Sequence, residues 1–188
     1  MSTVKSKKLQ VGTDATSSNN FTIYQPATPD GTLRIGVGNA DSPTEVGQFN
    51  ANGYKPQQPV AFSAKPSANQ SISATTFTKC NLQTEDFDTN SNFDNTTNYR
   101  FTPTVAGYYQ CNAKVQLTVN GSHLVAIYKN GTAWVWGSYP VNNYGDNTSA
   151  LIYMNGSTDY IEMYVYRTTS GTVNEAHTRF SSILISQA

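Results

Sequence analysis

The chain has 188 residues, enough for one ordinary domain and an appendage. Charged residues make up only 13%, about half the usual share, and the 12 Lys plus Arg balance the 12 Asp plus Glu. That balance points away from nucleic acid and from acidic membranes, while 12% aromatics supply the apolar mass for a core.

No apolar run approaches the ~18 residues of a membrane span. The N-terminal MSTVKSKKLQVG has basic residues without a following apolar segment, so no secretory signal is expected. Residues 1–20 are polar and read either as a solvated tail or as an attachment peptide, with Lys5, Lys7 and Lys8 the candidates for attachment to a larger particle. Strand-like pieces follow at Phe21–Tyr24, Leu33–Val37 and Glu45–Phe49, separated by Asp30-Gly31, Gly38-Asn39 and Asn52-Gly53. With so few large apolar groups, this segment cannot bury a core alone. It must pack on copies of itself or on a neighbour, which makes residues 1–58 an expected attachment and trimerisation region.

Tyr54-Lys-Pro-Gln-Gln-Pro59 is the junction, stiffened by two prolines. From residue 59 onward the pattern is regular: strands at Val60–Ala64 and Phe77–Leu82, then an Asn/Asp-rich loop over 85–98. The stretch Phe101 to Val119 alternates strictly at Tyr109, Cys111, Ala113, Val115 and Leu117, one face buried and one wet. Its end, Asn120-Gly121, predicts a type I′ hairpin. Further strands are read at Leu124–Tyr128, Ala133–Trp136, Ala150–Met154, Tyr160–Tyr166 and Phe180–Ser186. About ten strands with Gly or Asn turns and no helical period describe an all-β sandwich or barrel.

Chemistry is sparse. His123 and His177 lack partners spaced as a triad. Glu85, Asp86, Glu162 and Glu175 read as solvated carboxylates rather than a hydrolytic pair, so no enzyme activity and no cofactor are expected. Asp86, Asp88 and Asp94 share one loop, where Asx-turns are the expected role over a calcium site. Cys80 and Cys111 have no zinc spacing and read as free thiols, although a disulfide between them is possible. The seven Asn-X-Ser/Thr sequences read as turn chemistry.

Binding is the better prospect. Trp134 and Trp136 sit two apart and are expected on one strand face, followed by Tyr139 and Tyr144. They are read either as a buried or interface face or as platforms for a sugar ring, with Asn142, Asn143 and Asp146 as hydrogen-bond partners. Polar loops expected around 85–98, 140–148 and 168–177 would surround such a surface.

Phe101-x5-Gly107-x-Tyr109 resembles the signature of the globular head of complement subcomponent one-q, which shares its jelly roll with the tumour-necrosis-factor cytokines. Ala61–Ala64, Ile127–Gly131, Leu151–Gly156 with Tyr160–Val165, and Phe180–Ile185 resemble further pieces of that head, in the same order. Cys111 and Ala113 depart from the family's aromatics, and no collagen-like run precedes the head. The resemblance implies a jelly-roll head over residues 59–188 and a homotrimer. Asp30–Gly36 and Gln48–Gly53 resemble tail-fibre segments of bacteriophages, particularly those of cyanobacteria. Together these imply a virion structural protein on the particle exterior: a trimeric tail fibre or tip, held to other virion proteins through residues 1–58 and contacting a host-surface polysaccharide. A capsid decoration protein is the alternative, and a secreted lectin a third reading.

Overall fold

The computed structural model describes residues 7–56, 59–139 and 143–188. The chain divides into two compact units, 1–58 and 59–188.

The first unit is a five-stranded antiparallel sheet whose strands pair in chain order: β1 (Lys8–Val11), β2 (Phe21–Tyr24), β3 (Leu33–Val37), β4 (Thr44–Asn50) and β5 (Gly53–Pro56). A single 3-10 turn, Ser17–Asn19, lies between β1 and β2. One face is polar and is tied by the unit's own loops. Thr22 Oγ1 donates to the Gly38 carbonyl at 3.0 Å, and Arg34 pairs with Asp30 and Glu45 at 2.6 and 3.0 Å. Lys8 Nζ donates to the Ala40 carbonyl on the same side.

The second unit is a sandwich. Its strands are β6 (Ala61–Lys65), β7 (Gln70–Ile72), β8 (Thr78–Lys79), β9 (Thr84–Asp88), β10 (Phe93–Asp94), β11 (Arg100–Phe101) and β12 (Ala106–Gly121). Then come β13 (His123–Lys129), β14 (Thr132–Trp136), β15 (Asn143–Asn155), β16 (Ile161–Arg167), β17 (Gly171–Val173) and β18 (Arg179–Gln187). One sheet has the order β10-β11-β16-β13-β14, with β8 also on β16. The other runs β7-β17-β12-β18-β6-β9, with β15 on β12. The core is the filling between them.

Strand β12 organises the second sheet, as the alternation of its residues predicts. Tyr109, Cys111, Ala113, Val115 and Leu117 are all buried. Where Cys111 and Ala113 leave room, other rings fill it: Phe180 stands opposite Ala113 in register, and Phe62 packs on Phe93, Phe101 and Phe180 at 4.6, 4.5 and 5.3 Å. Tyr109 packs edge-on against Phe101 and donates its hydroxyl to the Val105 carbonyl at 2.8 Å. Gly107 is demanded by close approach, since a Cβ there would lie 2.3 Å from the Ser186 carbonyl oxygen.

Two expectations about connections change. Asn120-Gly121 does not close a hairpin: β12 pairs with β15, β17 and β18, whereas β13 pairs with β14 and β16 in the other sheet. The chain changes sheets there, and a Cβ on Gly121 would lie 2.2 Å from Arg167 Nη2. The crossover glycine makes room for a buried arginine. The Asn-Gly that does turn a hairpin is Asn130-Gly131, with φ of 52° and 77° between β13 and β14. The segments expected as loops at 85–98, 140–148 and 168–177 contain β9, β10, the start of β15 and β17. Acidic β9 is an edge strand, where charge discourages pairing with another chain.

Both cysteines are free and buried. Burial pushes the Cys80 thiol up to about 12 and the Cys111 thiol up to about 11. Cys111 Sγ lies 3.3 Å from Ser182 Oγ.

Candidate functional site

The outward face of the β13–β14–β16 sheet is aromatic. By pleat alternation, Leu124, Ala126 and Tyr128 of β13 point outward while Val125 and Ile127 enter the core. On β16, Tyr164 and Tyr166 point outward beside them, because their register partners are Ala126 and Leu124. Phe77, just before β8, closes the side of this surface. Its ring lies 5.8 Å from Tyr128, 5.8 Å from Trp136 and 5.1 Å from Tyr166. Tyr139 approaches Tyr166 at 6.3 Å, and Tyr128 stacks on Tyr164 at 4.0 Å.

Phe77, Leu124, Trp136, Gly137, Tyr139 and Tyr166 line an open groove of about 500 Å³. Its polar atoms are phenol hydroxyls, one indole N–H and backbone groups. None of these lining side chains is charged; the buried Asp146 carboxylate lies behind Gly137, and beyond the stacked pair Lys79 Nζ lies 5.8 Å from the Tyr164 ring, is paired with the buried Glu162 carboxylate at 2.5 Å and donates to the Asn98 carbonyl at 3.2 Å. Burial raises the Tyr128 hydroxyl above its ordinary pKa, and burial with the nearby Glu162 charge does the same at Tyr164, so both phenols stay protonated. The groove can stack on a flat apolar face and hydrogen-bond at its rim.

The residues expected to form a site are divided by the structure. Trp136 and Tyr139 meet in the groove. Trp134 is as exposed as Trp136, 56% against 57%, but a β-bulge opposite Ile127 and Tyr128 makes it the extra residue of β14. It faces Lys129, whose Nζ lies 5.4 Å from the indole, 3.0 Å from Asp159 and 2.7 Å from the Tyr153 carbonyl. Both tryptophans line a second shallow groove along β14, about 400 Å³, with Ala133 and Val135. Tyr144 is exposed on β15. Asn142 lies outside the described residues, and Asn143 is placed through its backbone pairing with Gly121.

Asp146 is not available to a ligand. It is buried, accepting from the Val125 N–H at 3.0 Å, the Ser138 N–H at 3.3 Å and the Ser138 hydroxyl at 3.0 Å. Its work is to hold the 137–138 turn beside the groove. Sequence reasoning missed Phe77, Leu124, Tyr128 and Tyr166. The usable signal was aromatic residues at the wet positions of two alternating strands, Tyr128 on one and Tyr164 and Tyr166 on the other.

The acidic loop is resolved into separate tasks. Asp94 accepts from the N–H groups of Thr96, Thr97 and Asn98, and the Thr97 N–H above all holds its carboxyl well below the usual range. Asp88 accepts from Asn90 and Phe93, and Asp86 pairs with Arg179 at 3.1 Å. Among the described residues, no three His, Cys, Asp or Glu side chains are grouped to hold a metal. His123 is fully buried, its Nδ1 2.7 Å from the Gly121 carbonyl oxygen.

A second exposed patch lies on the outward face of the β12 sheet. Tyr108 and Tyr153 are register partners with rings 5.6 Å apart, and Leu151 and Ile183 flank Gln110. Ile185 extends this patch as the extra residue of a bulge in β18. In the first unit, Lys7 is exposed, Lys8 is committed to the Ala40 carbonyl, and Lys5 lies outside the described residues.

No family model matches the chain, and no curated protein matches it. Solved structures do. The globular domain of zebrafish complement 1qA protein is 13% identical, with a TM-score of 0.55 over 69% of this chain and 99% of that one. Eiger TNF from S. frugiperda gives 9%, 0.54, 70% and 96% in the same order, and the PRD1 vertex protein P5 gives 16%, 0.52, 68% and 96%. The second unit is a jelly roll with the fold of the complement one-q and tumour-necrosis-factor heads, and it follows the five-stranded sheet of residues 1–58 in the chain.

Proposed function

We propose that this chain is a phage virion structural protein, a homotrimer whose jelly-roll heads bind a host-surface glycan and whose base, residues 1–58, joins the particle. It acts by binding, not catalysis. The observation that carries the reading is the open, uncharged aromatic groove around Phe77, Trp136 and Tyr166 on a fold shared with a phage vertex protein. Aromatic faces stack on the apolar side of a sugar ring, and the groove's neutral donors suit hydroxyls better than ions. The apolar patch around Tyr108, Leu151 and Ile183 supports self-association of heads. Three weak sites on one rigid trimer gain avidity without any new contact.

The test is a glycan array probed with the purified chain. Retention that falls at least fivefold in Trp136→Ala and in Phe77→Ala supports the reading. No retention of the intact protein, or retention indifferent to both changes, counts against receptor binding. A monomeric mass by light scattering removes the trimer.

A second reading, a decoration protein of the capsid shell, is favoured by the vertex location in the name of the PRD1 neighbour. Particle imaging separates the two, because label on the shell excludes a tail fibre or tip.

A further inference from the structure

The base has a folded sheet and no apolar interior. Among its described residues, the only buried ones are Asn20, Thr22, Gly36, Gly38 and Gly47. Register places its apolar side chains together on the face away from Arg34 and Thr22. Leu9 pairs with Ile23 and Ile23 with Ile35; Val11 pairs with Phe21 and Phe21 with Val37; Leu33 pairs with Phe49. Leu9, Val11, Phe21 and Leu33 are each about half exposed, at 58, 56, 50 and 48%. A sheet whose one face carries this much apolar surface is not complete as a single layer.

We propose that this face is buried against the same face of other copies of the chain. The reading rests on the self-association proposed above only in needing copies side by side. Three observations select a second copy as the occupant. Charge on the face is confined, among the described residues, to Lys7 just before edge strand β1, since Arg34, Asp30 and Glu45 pair on the other side, so the apolar remainder meets its like without repulsion. The face also holds both halves of a fit. Leu9, Ile23, Leu33 and Phe49, together with Lys7, line an open groove of about 550 Å³ at one end, and the exposed Phe21 and Val11 lie at the other. Finally, six side chains of this size and exposure present roughly 500 Å² per copy. That approaches the ~600 Å² each partner contributes to the smaller specific interfaces. Copies offset along the strand direction would seat the Phe21 ring of one in the groove of the next.

The test introduces one thiol at a time into the full chain, Ile23→Cys on the apolar face and Asp41→Cys on an exposed loop. Alkylation by a maleimide is followed over a range of protein concentrations, with mass by light scattering on the same samples. Native Cys80 and Cys111 are buried and stay silent. The purified sample contains no other protein, so only a second copy can shield position 23 in a concentration-dependent way. Expected is labelling at least tenfold slower at position 23 than at 41, with the gap widening as concentration rises. Equal rates at all concentrations in a sample of trimeric mass overturn this proposal and leave head association standing; such a face would belong to another virion protein. Slow labelling that ignores concentration in a monomeric sample overturns both. Leu33→Cys repeats the measurement from another strand, so a local disturbance at position 23 does not decide it.

Discussion

The carboxylate of Asp146 stands where a side chain at residue 137 would have to be: a Cβ on Gly137 would lie 2.0 Å from Asp146 Oδ2. The same oxygen accepts the Val125 N–H, so the turn after β14 is stitched to β13 through one buried charge. Gly137→Ala must push that carboxylate away. Asp146→Ala leaves the Val125 and Ser138 N–H groups without it. Either change is expected to cost about 2–3 kcal/mol, read as a shift in the denaturation midpoint. Wild-type stability in both variants would contradict this role.

Within the groove, the two tryptophans should separate. Trp136 contacts Phe77, whereas Trp134 lies against Lys129. For any ligand retained by the groove, Trp136→Ala should weaken binding by about 1–2 kcal/mol, and Trp134→Ala by much less. Titration calorimetry on the two variants ranks them directly, and equal losses would shift the site to the β14 edge.

Gly107 faces β18 at a distance that admits no side chain. Gly107→Ala should overpack that contact and destabilise the head by about 1–3 kcal/mol, with Leu184 and the Ser186 backbone displaced. Thermal unfolding of the variant checks the first point, and chemical shifts along β18 check the second.

The thiols predict a pH dependence. Burial holds the Cys80 and Cys111 pKa values at about 12 and about 11, above the ordinary value of 9.0. A folded pKa raised above the unfolded one gives stability that is complete below pH 9 and is lost as pH climbs toward the folded values. Between pH 8 and pH 10, unfolding free energy should therefore fall by about 2–3 kcal/mol for the two thiols together. Urea titrations at the two pH values measure it, and replacing both cysteines with alanine should flatten most of the slope. Iodoacetamide should leave both thiols untouched at pH 8 until denaturant is added.

Much of the head was legible because its strands alternate cleanly. The buried side of β12, the free buried cysteines and the hairpin at Asn130-Gly131 all follow from residues near one another in sequence. The errors share a cause as well. Asn120-Gly121 has the chemistry of a hairpin, but Arg167, distant in sequence, decides what the glycine is for. Asp146 looked like a ligand donor because a carboxylate among Asn and Tyr gives no sign that two backbone N–H groups will claim it. Phe77 joins Tyr128, Trp136 and Tyr166 only after three strands have been laid side by side. Contacts of that range leave no periodic trace, so the groove could be guessed through Trp136 and Tyr139 but not enclosed.

Strand β18 lies between β12 and β6, which do not pair with each other. The second sheet therefore cannot close until β18 has been made, because the piece that joins its early and central strands is synthesised last of the three. Until residues 179–187 leave the ribosome, β6 and β12 both present open edges. A chain truncated before residue 179 should yield an aggregating product rather than a smaller head. Expression of such a truncation should place it in the insoluble fraction, and supplying the strand as a separate peptide offers a route to restore the fold.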